Sequence, residues 1–227
     1  MTLQKSEKRK IPASFSIKKA HSAQLKMSKH VIRQDGLSKK IEYVTGVDVA
    51  YTNEFSIGAV VTLDYDSLSV IESKTVQTRT EFPYIPTLLS FREVPPAVAA
   101  AKKLLLQPDV FLVDGQGIMH PYRLGFASHL GLVLNKPTIG IAKKPLIGRI
   151  GEYNKENWAP ITDKQEVVGT ALRTRNKAKP VYVSVGHMVS LNRAIEIVKH
   201  CSLHHRIPKP IRLAHDAATH AKQKVQK

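Results

Sequence analysis

Apolar and polar positions divide the chain into strand-like runs followed by helices that alternate with shorter buried runs. Glu42–Tyr51 alternates around Val47, Val49 and Tyr51, Ile57–Leu63 is apolar and β-branched, and Ser69–Thr80 alternates through Val70, Ile71, Thr75, Val76 and Thr78. Alternation with a period of two is the mark of strands that bury one face. Asn53-Glu54 and Asp64-Tyr65-Asp66-Ser67 are polar breaks short enough for turns, so these strands read as an antiparallel meander. Val110-Phe111-Leu112-Val113, bounded by Pro108 and Gly115, and the run Pro137–Ala142 do not alternate. They read as strands buried on both faces, as in the parallel part of a sheet. Residues 166–174 and 180–185 read as a hairpin whose cationic tip, Arg173–Lys179, is a candidate for backbone phosphate contact, or else a solvated loop.

Helices are expected at Phe15–Ile32, with Ala20, Leu25 and Val31 inclined inwards, and at Thr87–Glu93, Ala97–Leu106, Leu124–Leu134 and Leu191–Leu203. A last helix is expected from Leu213 onwards, fraying into a Lys and Gln tail. Pro95-Pro96 is expected to break the second helix and open the third, because proline lacks the amide proton a helix interior needs. The order of elements predicts an α/β fold with a mixed central sheet, an antiparallel meander plus parallel strands, flanked by helices. One domain over residues 15–220 is expected, between a basic arm at residues 1–14 and a basic tail at 221–227.

Charge changes this picture more than composition does. A hydrophobic share of 42% is ordinary, but 35 Lys and Arg against 18 Asp and Glu give +17, which calls for a polyanionic partner such as nucleic acid. Residues 1–40 carry eleven of the basic residues against only Glu7 and Asp35. No apolar run is long enough to span a membrane, and Met1–Lys10 has no apolar core of a signal peptide. With Cys201 as the single cysteine, the reading is a cytoplasmic monomer in a reducing compartment, with no membrane association.

Against this basic background, a few acidic residues are candidates for chemistry. Asp114 ends a buried run and is followed by Gly115-Gln116-Gly117, where backbone can approach a ligand; an ordinary Asp-Gly turn would look the same. Asp48 lies in mid-strand on the face opposite Val47 and Val49, either at a wet edge or in a site. On neighbouring strands, about 4.8 Å apart, the two carboxylates could share one Mg²⁺ and leave room for phosphate oxygen. His120 could then assist a proton transfer, and Lys143, at the end of another buried run, could neutralise a phosphate. Glu93 by itself reads as a surface glutamate. Pro83-Tyr84-Ile85-Pro86 is a rigid turn presenting an aromatic ring.

Other motifs carry less. Gly115–His120 lacks the third glycine of a dinucleotide fingerprint, His200–His205 lacks the separated ligand pairs of structural zinc, and Ser184–His187 has no convincing catalytic partner.

Gly46-Val-Asp48-Val-Ala-Tyr51, Tyr84–Glu93, Val113–Pro121, Leu124–Gly131, Gly140–Lys144, Lys179–Ser184 and Pro210–His215, taken in this order, resemble the endonuclease V family of deoxyinosine 3′-endonucleases. The resemblance implies an RNase H-like fold and hydrolysis of the second phosphodiester bond 3′ to a deaminated adenine, with Mg²⁺ as cofactor and Mn²⁺ as a substitute. It implies that Asp48 and Asp114 bind metal, that Glu93 is a third acidic member, and that His120, Lys143 and His215 complete the catalytic set. Pro83, Tyr84, Ile85 and Pro86 match a wedge that enters the duplex, while Thr87, Leu89 and Gly115 border the pocket for the displaced base. The chain departs from the family pattern at Thr87, where glycine is common, and at Met119 and Tyr122, which replace small and basic residues. Inosine-containing DNA is the implied partner. Inosine in RNA, or a non-catalytic nucleic-acid-binding module, remains an alternative.

Overall fold

The computed structural model describes residues 15–37, 40–175 and 178–226; the arm expected at residues 1–14 lies outside them. In chain order the elements are α1 (Ile17–Ser28), β1 (Tyr43–Tyr51), β2 (Phe55–Asp64), β3 (Val70–Arg79), α2 (Leu89–Ala101), β4 (Val110–Asp114), α3 (Phe126–Leu134) and β5 (Thr138–Ala142). There follow β6 (Arg149–Ile150), β7 (Trp158–Asp163), β8 (Glu166–Leu172), β9 (Val181–His187), α4 (Leu191–Ser202) and α5 (Lys209–Val225). The nine strands form one sheet in the order β3-β2-β1-β4-β5-β9-β8-β7-β6.

The expected meander is present, and the two unalternating runs lie at the sheet centre: β1, β4 and β5 are parallel, and the remaining pairs are antiparallel. Central strands need apolar side chains on both faces because both are covered. Val44, Val110 and Leu112 pack towards α4 and α5, whereas Val47, Phe111 and Val113 pack towards α2 and α3. No helix among the described residues is long and apolar enough to cross a membrane.

Several expectations are corrected. α2 runs unbroken through Pro95 and Pro96, although each proline removes one hydrogen-bond donor from the helix. Pro96, Ala97 and Ala100 are buried, and at Gly58 of β2 a Cβ would lie 2.1 Å from the Pro96 carbonyl oxygen. Packing at that range outweighs the loss of two helical bonds. α2 also ends at Ala101 instead of Leu106, where Glu72 of β3 accepts hydrogen bonds from the amides of Leu105 and Leu106 at 3.0 and 3.4 Å. α5 starts at Lys209, with a proline in its first turn, and stays helical to Val225 where fraying was expected. In α1 the inward residue is Gln24, fully buried, while Leu25 is 49% exposed. Strands β6 and β7 were not anticipated. Lys164 and Gln165 join β7 to β8 with φ of 50° and 67°, a pair of left-handed residues without the Asn-Gly signature such turns usually carry.

Candidate active site

The parallel register of β1 and β4 places Val47 opposite Val113, so the next residues, Asp48 within β1 and Asp114 at the end of β4, stand side by side just past the last pair of that ladder. Both point to the α5 side, the face of Val44 and Leu112. α5 reaches them because of Gly46: a Cβ there would lie 2.0 Å from the Pro210 carbonyl oxygen, closer than any side chain permits. Five residues beyond Pro210, His215 Nδ1 lies 2.7 Å from Asp48 Oδ2. Lys143, just past β5, donates from Nζ to Asp114 Oδ2 at 2.7 Å. Ligand atoms of Asp48, Asp114 and His215 all lie within 4.8 Å of one another.

Glu93 approaches this group from α2. Burial, followed by the negative charges of Asp48 and Asp114, holds its carboxyl well above the usual range, and Arg92 offsets only part of this. Asp48 is raised by burial and by Asp114, against the lowering effect of His215 and the Val49 amide. Asp48 and Glu93, both held above their usual range in part by neighbouring negative charge, are under-neutralised. The oxygens of Asp48 and Asp114, close together, suit a hard divalent cation, which would relieve the repulsion. Asp48 and Asp114 would hold it, with His215 within reach, while Glu93 stands outside this group of ligand atoms and adds negative charge from α2.

A cavity of about 490 Å³ opens over the pair, lined by Asp48, Asp114, Lys143 and His215 together with Thr219 and Lys222 of α5. Thr219 and Lys222 follow His215 at helical spacing and share its face. That spacing is visible in the sequence, but the expectation of a frayed terminus hid it.

His120 is not drawn into the carboxylate group. It is 5% exposed, hydrogen-bonded to the Thr87 backbone, and accepts the Tyr122 amide on Nδ1 at 3.2 Å. Burial lowers its pKa to about 4, so the ring is neutral near pH 7. It belongs to a second group, built around the segment Pro83–Leu89. There Ile85 is buried at 6% exposure while Tyr84 projects at 67%. Pro83 is half-buried, Pro86 exposed and Leu89 half-buried. Gly115 faces the ring of Phe126, 3.1 Å from where its Cβ would stand.

Thr87 has φ of 69°, a left-handed conformation that costs a β-branched residue about 1–2 kcal/mol. Contacts from α1 and its neighbours hold it there. Tyr122 OH lies 2.9 Å from His21 Nδ1, His21 Nε2 lies 2.9 Å from Thr87 Oγ1, and the Thr87 hydroxyl donates to the Pro86 carbonyl at 2.5 Å. One neutral tautomer of His21, protonated on Nε2, satisfies the whole relay. The His21 and Tyr122 rings stack with centroids 4.0 Å apart, and Gln24 Nε2 donates to the Thr87 carbonyl at 2.8 Å. Two departures from the family pattern, Thr87 and Tyr122, are therefore joined through His21. The third, Met119, is fully buried and packs with Ile161, Val168 and Ala171. His21 and Gln24 carry no sequence signal, since both stand alone among lysines on a basic helix. Thr87→Val, which keeps the branch but removes the hydroxyl, should lower stability by about 1–2 kcal/mol. Thr87→Gly, which relieves the backbone, should change it by less than about 1 kcal/mol. Thermal unfolding of the two variants checks this; equal losses would mean that Thr87 is not held by the relay.

A mixed sheet with crowded carboxylates on its central strands, flanked by lysine and histidine, defines a nuclease of the RNase H-like α/β class. The family model for Endonuclease V matches residues 25–216, and the chain belongs to the endonuclease V family. It is 45% identical to Endonuclease V of Thermofilum pendens over 211 residues, 92% of this chain and 90% of that protein. The crystal structure of Endonuclease V from Streptomyces avermitilis superposes with a TM-score of 0.88 at 36% identity, covering 96% of this chain and 98% of that one. Endonuclease V from Ciona intestinalis, crystallised with a 24mer DNA containing an inosine followed by a ribo-adenosine, superposes with a TM-score of 0.81 at 34% identity, covering 92% of this chain and 98% of that one.

Proposed function

We propose that this chain is a DNA-repair endonuclease that recognises deoxyinosine and hydrolyses the second phosphodiester bond 3′ to it, using Mg²⁺, or Mn²⁺ in its place. The observation that carries this reading is the group formed by Asp48, Asp114 and His215, with Lys143 on Asp114. When bound, the divalent cation supplies Lewis-acid stabilisation of the charge that develops on the phosphate. Asp48 and Asp114 hold it, and Glu93 adds a third negative charge. The hydrogen bond from His215 orients Asp48. Lys143, 53% exposed, can turn its ammonium from Asp114 to the scissile phosphate and neutralise it. His120, buried and neutral, fixes the Thr87 backbone and so shapes the base pocket.

Tyr84 stands out from the anchored Ile85 and is placed to fill the space left by a displaced base. Removing a base from the stack costs a few kcal/mol, and an aromatic plug offsets part of that cost. Tyr84→Ala should therefore weaken capture of inosine in a duplex about tenfold while leaving capture of single-stranded inosine nearly unchanged, for a stacking contact of about 1–3 kcal/mol. Equal losses on both substrates, measured by electrophoretic shift, would reduce Tyr84 to a packing residue.

The relative crystallised with a ribonucleotide after its inosine favours a second reading, cleavage of inosine in RNA. The two are separated by titrating Mg²⁺ against end-labelled inosine DNA and inosine RNA and mapping the cut on each. Cleavage of neither, at any Mg²⁺ or Mn²⁺ concentration, would leave only a nucleic-acid-binding module. The basic composition fits work on nucleic acid.

A further inference from the structure

A basic concavity lies outside the carboxylate site. It is a cleft of about 690 Å³ between the segments that follow β8 and α4, lined by Arg173, Thr174, Arg175, His204, His205 and Asn157, with no carboxylate in its wall. Arg173 and Arg175 are exposed, and neither forms an ion pair among the described residues.

The cleft is also braced. The Arg173 guanidinium lies over the Tyr153 ring, 3.8 Å from its centroid, and its amide donates to the Asn157 carbonyl at 2.9 Å. Thr174 Oγ1 donates to the Arg206 carbonyl at 2.8 Å, tying one wall to the other. Arg206 then connects the cleft to the reaction site, because Nη2 donates to the carbonyls of Lys143 and Pro180 at 3.2 and 2.9 Å. Lys143 is the residue that reaches Asp114. The cleft wall is therefore tied through Arg206 to the backbone of Lys143.

We infer that this cleft is a second anchoring site for nucleic-acid backbone phosphates, which grips the substrate strand beyond the point of cleavage. The inference rests on the nuclease reading above and extends it to a surface which that reading does not use. An unpaired, pre-positioned set of cations in an open cleft suits a chain of phosphates better than a single small anion, because the cleft is several times larger than one phosphate group. Guanidinium groups bind backbone phosphates bidentately without reading sequence. The cleft thus contributes affinity and register, while the choice of base stays with the pocket beside Thr87.

The test compares wild type with an Arg173→Ala/Arg175→Ala variant on two inosine duplexes, one ending just past the cut on both sides and one extended on both sides. For the extended duplex the variant should bind about tenfold more weakly, and the slope of log K against log salt should fall by about 0.9 for each phosphate that is no longer neutralised. Affinity for the short duplex and its single-turnover cleavage rate should stay as in wild type. Arg173→Lys/Arg175→Lys should restore most of the salt slope. Unchanged affinity and slope on the extended duplex would overturn the inference, as would equal losses on short and extended duplexes. Should the double variant fail to fold, Arg175→Gln alone, at an exposed position, should give about half the loss of slope, and no loss overturns the inference. An extended duplex without inosine separates the two readings. If wild type cleaves neither inosine duplex, the nuclease reading fails, while the same difference in slope on plain duplex still supports the anchoring site. Competition by an acidic peptide but not by plain duplex would assign the cleft to a protein partner and overturn it.

Discussion

Asp114→Ala should remove measurable cleavage of an inosine duplex while leaving its capture intact, and Asp48→Ala should do the same. Each carboxylate is one of two neighbouring oxygen donors, Asp48 within β1 and Asp114 at the end of β4. Losing one would take away several kcal/mol of charge stabilisation in the transition state, and about 4 kcal/mol corresponds to about 10³-fold in rate. Binding should not suffer, because removing a negative charge from a surface that receives phosphate lessens repulsion. Stability should hold as well. Asp48 is raised by burial and by Asp114, so its ionised form is strained in the folded protein, and neutralising it does not weaken the fold. Single-turnover cleavage, gel-shift affinity and melting temperature without divalent ion check the three parts. Turnover in either variant within tenfold of wild type would sink the metal-site assignment.

Gly46→Ala should be the most damaging small substitution in the sheet. Its Cβ would lie 2.0 Å from the Pro210 carbonyl oxygen, 2.2 Å from the carbonyl carbon and 2.9 Å from the Ile211 nitrogen. All three are backbone atoms, so no side chain can rotate aside and α5 must lift from β1. Overpacking costs about 1–3 kcal/mol and occasionally more, and backbone contacts place this case at the upper end. His215 lies on the same helix as Pro210, so its contact with Asp48 goes with the shift, and cleavage should fall even at temperatures where the variant stays folded. Denaturant unfolding and cleavage of an inosine substrate provide the measurements. Wild-type values for both would mean that α5 is not held by this contact.

What could be read in the sequence and what could not differ for physical reasons. The unalternating run before Asp114 and the alternating runs of the meander are legible because burial on two faces or one leaves different periods. The end of β4 as a place for chemistry is legible for the same reason. β7 escaped because Pro160 interrupts its pattern and Lys164-Gln165 adopt a hairpin turn without the residues that usually announce one. α2 was split because the cost of a proline is local and visible, whereas the packing of Pro96 against Gly58 is tertiary and is not. Glu93 reads as a surface residue by periodicity. Only the packing of α2 against β2 and β1 brings it near the carboxylates, so the resemblance to the family had to supply it. His21 and Gln24 were beyond reach, since what distinguishes them is the strained Thr87 that they touch, 66 and 63 residues away.

His215 meets Asp48 across 167 residues, from the last helix of the fold to its first strand. While the chain is being synthesised, Asp48, Glu93, Asp114 and Lys143 all emerge from the ribosome before α5 does. Until α5 has emerged and docked on Gly46, the wall that carries His215, Thr219 and Lys222 is missing from the cavity. The cavity is thus finished by the helix made after every strand that carries its acids.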